Sequence, residues 1–220
     1  MQFWDTDPVT GPTDSWTIHG LWPNNCDGTY QENCDSSRAY TNITEILQAG
    51  GATATLDYMQ TYWLSDDESD EAFWDHEWET HGTCFSTLDT DCYPEYQTGD
   101  EVVDFFDRTV ALFKTLDTYT VSFSVTLCVC IVGLIPLQIL KNAWITPSSN
   151  KTYSLSAMNT ALENAFGAPV ILLCDDTDVV YQIYYTFNMQ GSVQRGTFVP
   201  TEPTGSTTNC PDMVKYPPKN

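Results

Sequence analysis

The 220-residue chain has three histidines, and all of them fall in two short segments dense in aromatic residues. The first reads Trp16-Thr17-Ile18-His19-Gly20-Leu21-Trp22-Pro23, and the second Phe73-Trp74-Asp75-His76-Glu77-Trp78-Glu79-Thr80-His81-Gly82-Thr83-Cys84. An unperturbed imidazole titrates near pH 6.5, so of two held together one can accept a proton while the other donates one. A lone histidine is more often a packed or surface residue. Three of them, flanked by aromatic rings and joined by Glu77, suit general acid–base work instead.

If the second segment is helical, at about 100° per residue, His76, Glu77, Thr80 and His81 fall within an arc of about 140°. One concave surface can then collect all four. A zinc peptidase would need its two histidines four apart on one face of the helix; here they are five apart, with no nearby third ligand evident. Cleavage of RNA needs other parts: a base for the 2′-hydroxyl proton, an acid for the leaving 5′-oxygen, and donors for the phosphate. Two histidines and a carboxylate suffice for it without a metal or other cofactor, and DNA would be spared because it lacks the nucleophile.

The elements that must hold these residues are of both kinds. A short strand is predicted through Trp16-Thr17-Ile18-His19, followed by a turn-rich loop, a plausible rim for substrate. Residues 45–64 are loosely helical with a break at Gly50-Gly51, and residues 65–70 read as an acidic surface loop with no visible chemistry. Apolar residues at helical spacing predict an amphipathic helix over 100–116, and another over 156–166 with Ser156 as N-cap and Gly167 as its stop. Residues 170–174 and 179–188 are predicted strands. The expected fold is α+β, an antiparallel sheet flanked by several helices in one disulfide-bonded domain over 1–220.

Charge and cysteine content restrict the setting. Asp and Glu number 30 against 8 Lys and Arg, a net charge of −22, with no basic cluster to hold a polyanion, so a stable nucleic-acid complex is not expected. The acidity is read either as a sign of a low working pH, where carboxylates begin to neutralise, or as a solubilising surface alone. Eight cysteines without paired metal-ligand spacing point to disulfides. The sequons Asn42-Ile43-Thr44 and Asn150-Lys151-Thr152 agree with a secretory route and glycans on Asn42 and Asn150. The first residues are not a signal peptide, so either the signal has been removed or the start is truncated. Residues 121–140 form an uncharged apolar run, long enough for a membrane helix and equally suited to buried strand.

On its two histidine segments the chain closely resembles the ribonuclease T2 family of secreted and vacuolar acid ribonucleases, the fungal members above all. The likeness runs from Trp4 to Val214-Lys215-Tyr216-Pro217-Pro218-Lys219. It implies a secreted or vacuolar monomer that cuts single-stranded RNA at acidic pH through a 2′,3′-cyclic phosphate, leaving a 3′-phosphate. His81 would be the general base, His19 the general acid, His76 a phosphate holder and Glu77 a stabiliser of the transition state. Trp22 and Tyr30 would be the stacking walls of one base pocket and Phe73 part of the other.

The resemblance further implies Cys34–Cys84 and Cys174–Cys210 disulfides, and leaves Cys26 and Cys92 without partners because the family's upstream cysteines precede Met1. The family usually has a lysine where this chain has Thr80, and fungal relatives often have an adenine-reading aspartate where it has Asn24. The likeness lapses over 121–143, which is read as an atypical insert rather than a functional anchor, with membrane attachment through 121–140 as the contrary reading. Thr80 and the missing start also motivate another alternative, a catalytically impaired secreted binding or cytotoxic protein.

Overall fold

The computed structural model describes residues 1–116, 118, 139–205 and 207–219. Two short strands come first, β1 (Gln2–Phe3) and β2 (Thr17–Ile18), then the helices α1 (Ile43–Ala49), α2 (Thr53–Tyr62), α3 (Asp70–Thr80), α4 (Asp100–Thr115) and α5 (Ile139–Asn142). The chain continues through β3 (Thr152–Ser154), α6 (Leu155–Phe166), β4 (Ile171–Cys174), β5 (Val180–Tyr184), β6 (Phe187–Gln190), β7 (Thr197–Pro200) and β8 (Met213–Lys215). Strands β2, β1, β5 and β4 pair in that order as an antiparallel sheet, while β3–β8 and β6–β7 form separate antiparallel ribbons. The architecture is the α+β arrangement of antiparallel sheet and flanking helices.

Two hydrophobic cores meet along β2. On the helical side Ile43, Leu47, Met59, Trp63, Trp78 and Phe105 are buried together, and on the sheet side Trp4, Trp16, Met158, Leu162, Leu172 and Tyr216. Each such side chain contributes about 1.5–3 kcal/mol on leaving water. Trp16 belongs to the sheet-side core and Ile18 to the helix-side core, so the chain crosses the seam between them just before His19.

Helix α3 is fixed at both ends. Ser69 caps it by accepting from Ala72 N at 3.2 Å, and Asp70 and Glu71 complement the dipole in its first turn. Trp74 donates its indole N–H to Trp63 O at 2.8 Å and Trp78 to Arg38 O at 2.7 Å, which sets the helix's rotation. Past its C-terminus, Asn33 N bonds Thr80 O at 3.0 Å and the Cys34–Cys84 disulfide ties the following turn down. A second disulfide joins Cys174 to Cys210, and Cys26 and Cys92 are exposed and unbonded.

Two boundaries differ from the sequence reading. The cap of α6 is Ser154, which accepts from Ala157 N, and not Ser156; the helix starts directly where β3 ends. The predicted strand over 179–188 is two strands in two sheets, parted at Tyr185 and Thr186, because β6 turns away to pair with β7. Of the residues read as apolar run and insert, 139–143 are described: Ile139 and Leu140 are buried in the sheet-side core as the first turn of α5. Leu140 N donates to Thr118 O at 3.2 Å, so the chain returns where it left. The rest of that run, with Cys128 and Cys130, lies outside the described residues. No helix among the described residues is long and apolar enough to cross a membrane.

Candidate active site

His19 follows β2 directly, and its backbone N–H bonds Met1 O at 3.0 Å. Three rings box its imidazole, Phe3 at 4.1 Å, Phe73 at 5.2 Å and Trp22 at 5.4 Å between centroids. Across from it stands Glu77 of α3, fully buried, with Oε1 3.4 Å from His19 Nε2 and Oε2 accepting the Trp22 indole N–H at 2.9 Å. The Gly20 backbone presses on the same carboxylate: a methyl group there would fall 1.7 Å from Glu77 Oε2. Only glycine fits, which gives the His-Gly step of the first segment a physical reason.

His81 caps α3 and is buried at 6 % exposure, its ring stacked on Trp22 at 4.5 Å and 24°. His76, one residue before Glu77, is exposed, and its ring stands edge-on to His81 at 6.3 Å. The Thr80 hydroxyl lies 3.4 Å from His76 Nδ1. Ligand atoms of His76, Glu77 and His81 all lie within 4.8 Å of one another, so these three could hold a cation, although Glu77 already serves Trp22.

Burial sets the protonation of the inner groups. It pushes the Glu77 carboxyl up to about 8, against the smaller opposing pull of the Trp22 hydrogen bond and the Met1 amino group. Burial brings His19 down to about 3, helped by the positive charges of the Met1 amino group, His81 and His76. His81 falls to about 4, through burial and then His76. At mildly acidic pH in the empty pocket, His81 is therefore a neutral base and the proton between His19 and Glu77 rests on the carboxyl.

Outside this wall lies a cavity of about 240 Å³, bounded by Phe3, His19, Phe73, His76 and the loop 65–68. The loop that reads in the sequence as mere surface thus brings Asp66, Asp67 and Glu68 to the site, and none of the lining residues is a lysine or arginine. Its helical neighbours give no periodic signal for that, and only the tertiary placement reveals it. Phe73, expected in a base pocket, lines the cavity while packing on His19. Trp22 keeps 38 % exposure, with one face stacked on His81 and Tyr184 edge-on at 6.3 Å. Asn24 and Tyr30 pair across an exposed turn, with Tyr30 67 % exposed. Asn42 and Asn150 are both exposed.

The sequence model of the Ribonuclease T2 family matches residues 2–197. The chain belongs to the ribonuclease T2 family. Ribonuclease Trv of Hypocrea rufa is 52 % identical over 99 % of this chain and 85 % of its own length. Ribonuclease M of Aspergillus phoenicis is 48 % identical over 100 % of this chain and 85 % of its own. The crystal structure of Actibind, described as a T2 ribonuclease, superposes with a TM-score of 0.87 at 48 % identity, covering 99 % of this chain and 85 % of that one. In this fold His19, directly after β2, faces Glu77 of α3.

Proposed function

We propose that the protein is an endoribonuclease that cuts single-stranded RNA by transphosphorylation, without a cofactor. The observation that carries the reading is the meeting of His19 with Glu77, His76 and His81, from chain segments more than fifty residues apart, in one pocket beside an open cavity. Neutral His81 takes the proton of the ribose 2′-hydroxyl, whose oxygen attacks phosphorus. The bond to the 5′-oxygen breaks, and His19 protonates that oxygen as it leaves. The 2′,3′-cyclic phosphate that forms is opened by water with the two roles exchanged, leaving a 3′-phosphate.

His19 needs a proton for this, and Glu77 stores it 3.4 Å away. The negative charge of a bound phosphodiester favours an imidazolium, so substrate draws the proton from Glu77 to His19 and leaves a carboxylate facing it. Exposed His76 is free to hold a phosphate oxygen. The outer side of the Trp22 ring and Tyr30 offer stacking surface to one base, and Phe73 borders the space for the next. Two disulfides and two exposed sequons support a secreted or vacuolar location.

The test is cleavage of single-stranded RNA near pH 5 with excess EDTA. Release of 2′,3′-cyclic phosphates is expected, with no cut at a position carrying a single 2′-deoxynucleotide. Cleavage at that deoxy position, or loss of all activity on chelation, contradicts the reading.

A second reading, a catalytically impaired protein that keeps the fold and binds RNA or a surface, draws on one observation. Thr80 stands where the family usually has a lysine, and no lysine or arginine lines the cavity. A missing electrostatic donor of this kind typically costs 10²–10³ in rate, about 3–4 kcal/mol. Thr80→Lys separates the two: a gain of tenfold or more locates a deficit in charge, and an unchanged rate in an active enzyme removes the motive for the second reading.

A further inference from the structure

Trp22 does more in this pocket than offer a ring to a base. Glu77 is fully buried, and among the described residues the Trp22 indole N–H is the one hydrogen-bond donor that reaches it, on Oε2. Oε1 has no hydrogen-bond partner and faces His19 at 3.4 Å. The Gly20 backbone closes the other side of the carboxylate so tightly that no side chain fits between them. The same indole carries His81 on its face at 4.5 Å. One rigid ring therefore touches both the group that stores a proton and the group that accepts one, and it keeps 38 % exposure with Tyr184 edge-on at 6.3 Å.

We propose that Trp22 is a positioning residue that couples base recognition to proton transfer: its N–H fixes the Glu77 carboxyl against His19, its face fixes His81, and a base stacked on its outer side holds both in register. The proposal rests on the endoribonuclease reading. A mere stacking wall would affect substrate affinity and would have no role when the base is absent. A positioning residue affects turnover with or without a base.

Trp22→Phe keeps a ring over His81 and removes the N–H. The experiment compares kcat and KM of wild type and W22F on a short single-stranded oligoribonucleotide, and on the same oligomer with an abasic ribose on the 5′ side of the scissile phosphate. The expected result is a fall in kcat of the order of 10–100-fold on both substrates, the size typical of removing a partner that orients a reacting group. KM should change by less than about threefold.

A second signature is the pH profile. The titratable groups around Glu77 are His19, the Met1 amino group, His76 and His81. The Trp22 hydrogen bond favours the ionised carboxylate, so without it Glu77 keeps its proton to higher pH and the alkaline fall of kcat/KM moves upward in W22F.

If the cavity left by the smaller ring disturbs the fold, incorporation of benzothienylalanine at position 22, which replaces only the N–H by sulfur, gives the same comparison at constant shape. A wild-type kcat in either variant, or a loss confined to KM that vanishes on the abasic oligomer, overturns the proposal and leaves the enzyme reading standing. A wild-type protein that leaves both oligomers intact overturns the enzyme reading and this inference with it.

Discussion

The site has two sides of opposite character. The inner wall of His19, Glu77, His81 and Gly20 is almost dry, packed between two cores and held by aromatic rings. The outer rim, made of His76 and the loop 65–68, is open and bears three carboxylates. The difference assigns the work. In the dry wall, desolvation decides where protons sit, raising Glu77 and lowering His19 and His81, so that a base is neutral and a proton is stored before substrate arrives. On the wet rim charges are screened and side chains adjust, which suits brief contact with a polyanion rather than tight capture.

The sharpest way to break this contrast is Glu77→Gln, which keeps an acceptor for Trp22 and removes the proton store. The expected loss in kcat is of the order of 10²–10³, measured on single-stranded RNA at pH 5. Stability should move the other way. Folded Glu77 holds its proton up to about 8, well above its value in the unfolded chain, so wild-type stability falls as pH rises between these values. The melting temperature of E77Q should therefore match wild type near pH 4 and exceed it by several degrees at pH 7, at roughly 2–4 °C per kcal/mol for a chain of this size. A difference that does not grow with pH would remove the dry wall from the account.

The pH–rate profile sharpens the same point. His81 is a free base above about 4 and Glu77 retains its proton below about 8 in the free protein, so kcat/KM should be high between these values and fall about tenfold per pH unit beyond either one. Rates still rising through pH 9 would show that the stored proton is not used.

On the rim, smaller effects are expected. Neutralising the loop with Asp66→Asn, Asp67→Asn and Glu68→Gln together should lower KM about two- to fivefold at low salt, with kcat almost unchanged and the difference fading as salt is raised. A large change in kcat would mean that the loop belongs to the catalytic wall. The smallest effect concerns residues 119–138. Because Leu140 N bonds Thr118 O, replacing this stretch by a short glycine link should leave kcat within about twofold of the full chain.

These two sides were also unequally legible in the sequence. Once the second segment is taken as helical, the gathering of His76, Glu77 and the cap residue His81 on one side follows from local spacing, since neighbours on one helix face are fixed by geometry. So does α4, whose Val102, Phe106, Val110 and Phe113 form one buried stripe. Contacts between distant segments do not. Trp22 reads as a stacking wall, and only the fold shows it donating to Glu77, 55 residues on. The loop 65–68 has the composition of any solvated turn, and its place beside His19 and His76 depends on how α3 packs. The break at Tyr185 and Thr186 is hidden for another reason: the β-branched and aromatic run continues unbroken across it, while the pairing partner changes from β4 to β7.

The central claim is that two imidazoles from separate segments act on one phosphodiester, His81 on the entering oxygen and His19 on the leaving one. A 5′-thio oligoribonucleotide tests it, because a sulfur leaving group needs no proton. On ordinary RNA, His19→Ala and His81→Ala should each lower single-turnover cleavage by about 10²–10⁴-fold. On the thio substrate, H19A should recover to near the wild-type rate and H81A should not. An H81A protein that cleaves ordinary RNA at the full rate, or an H19A protein equally slow on both substrates, would contradict the account.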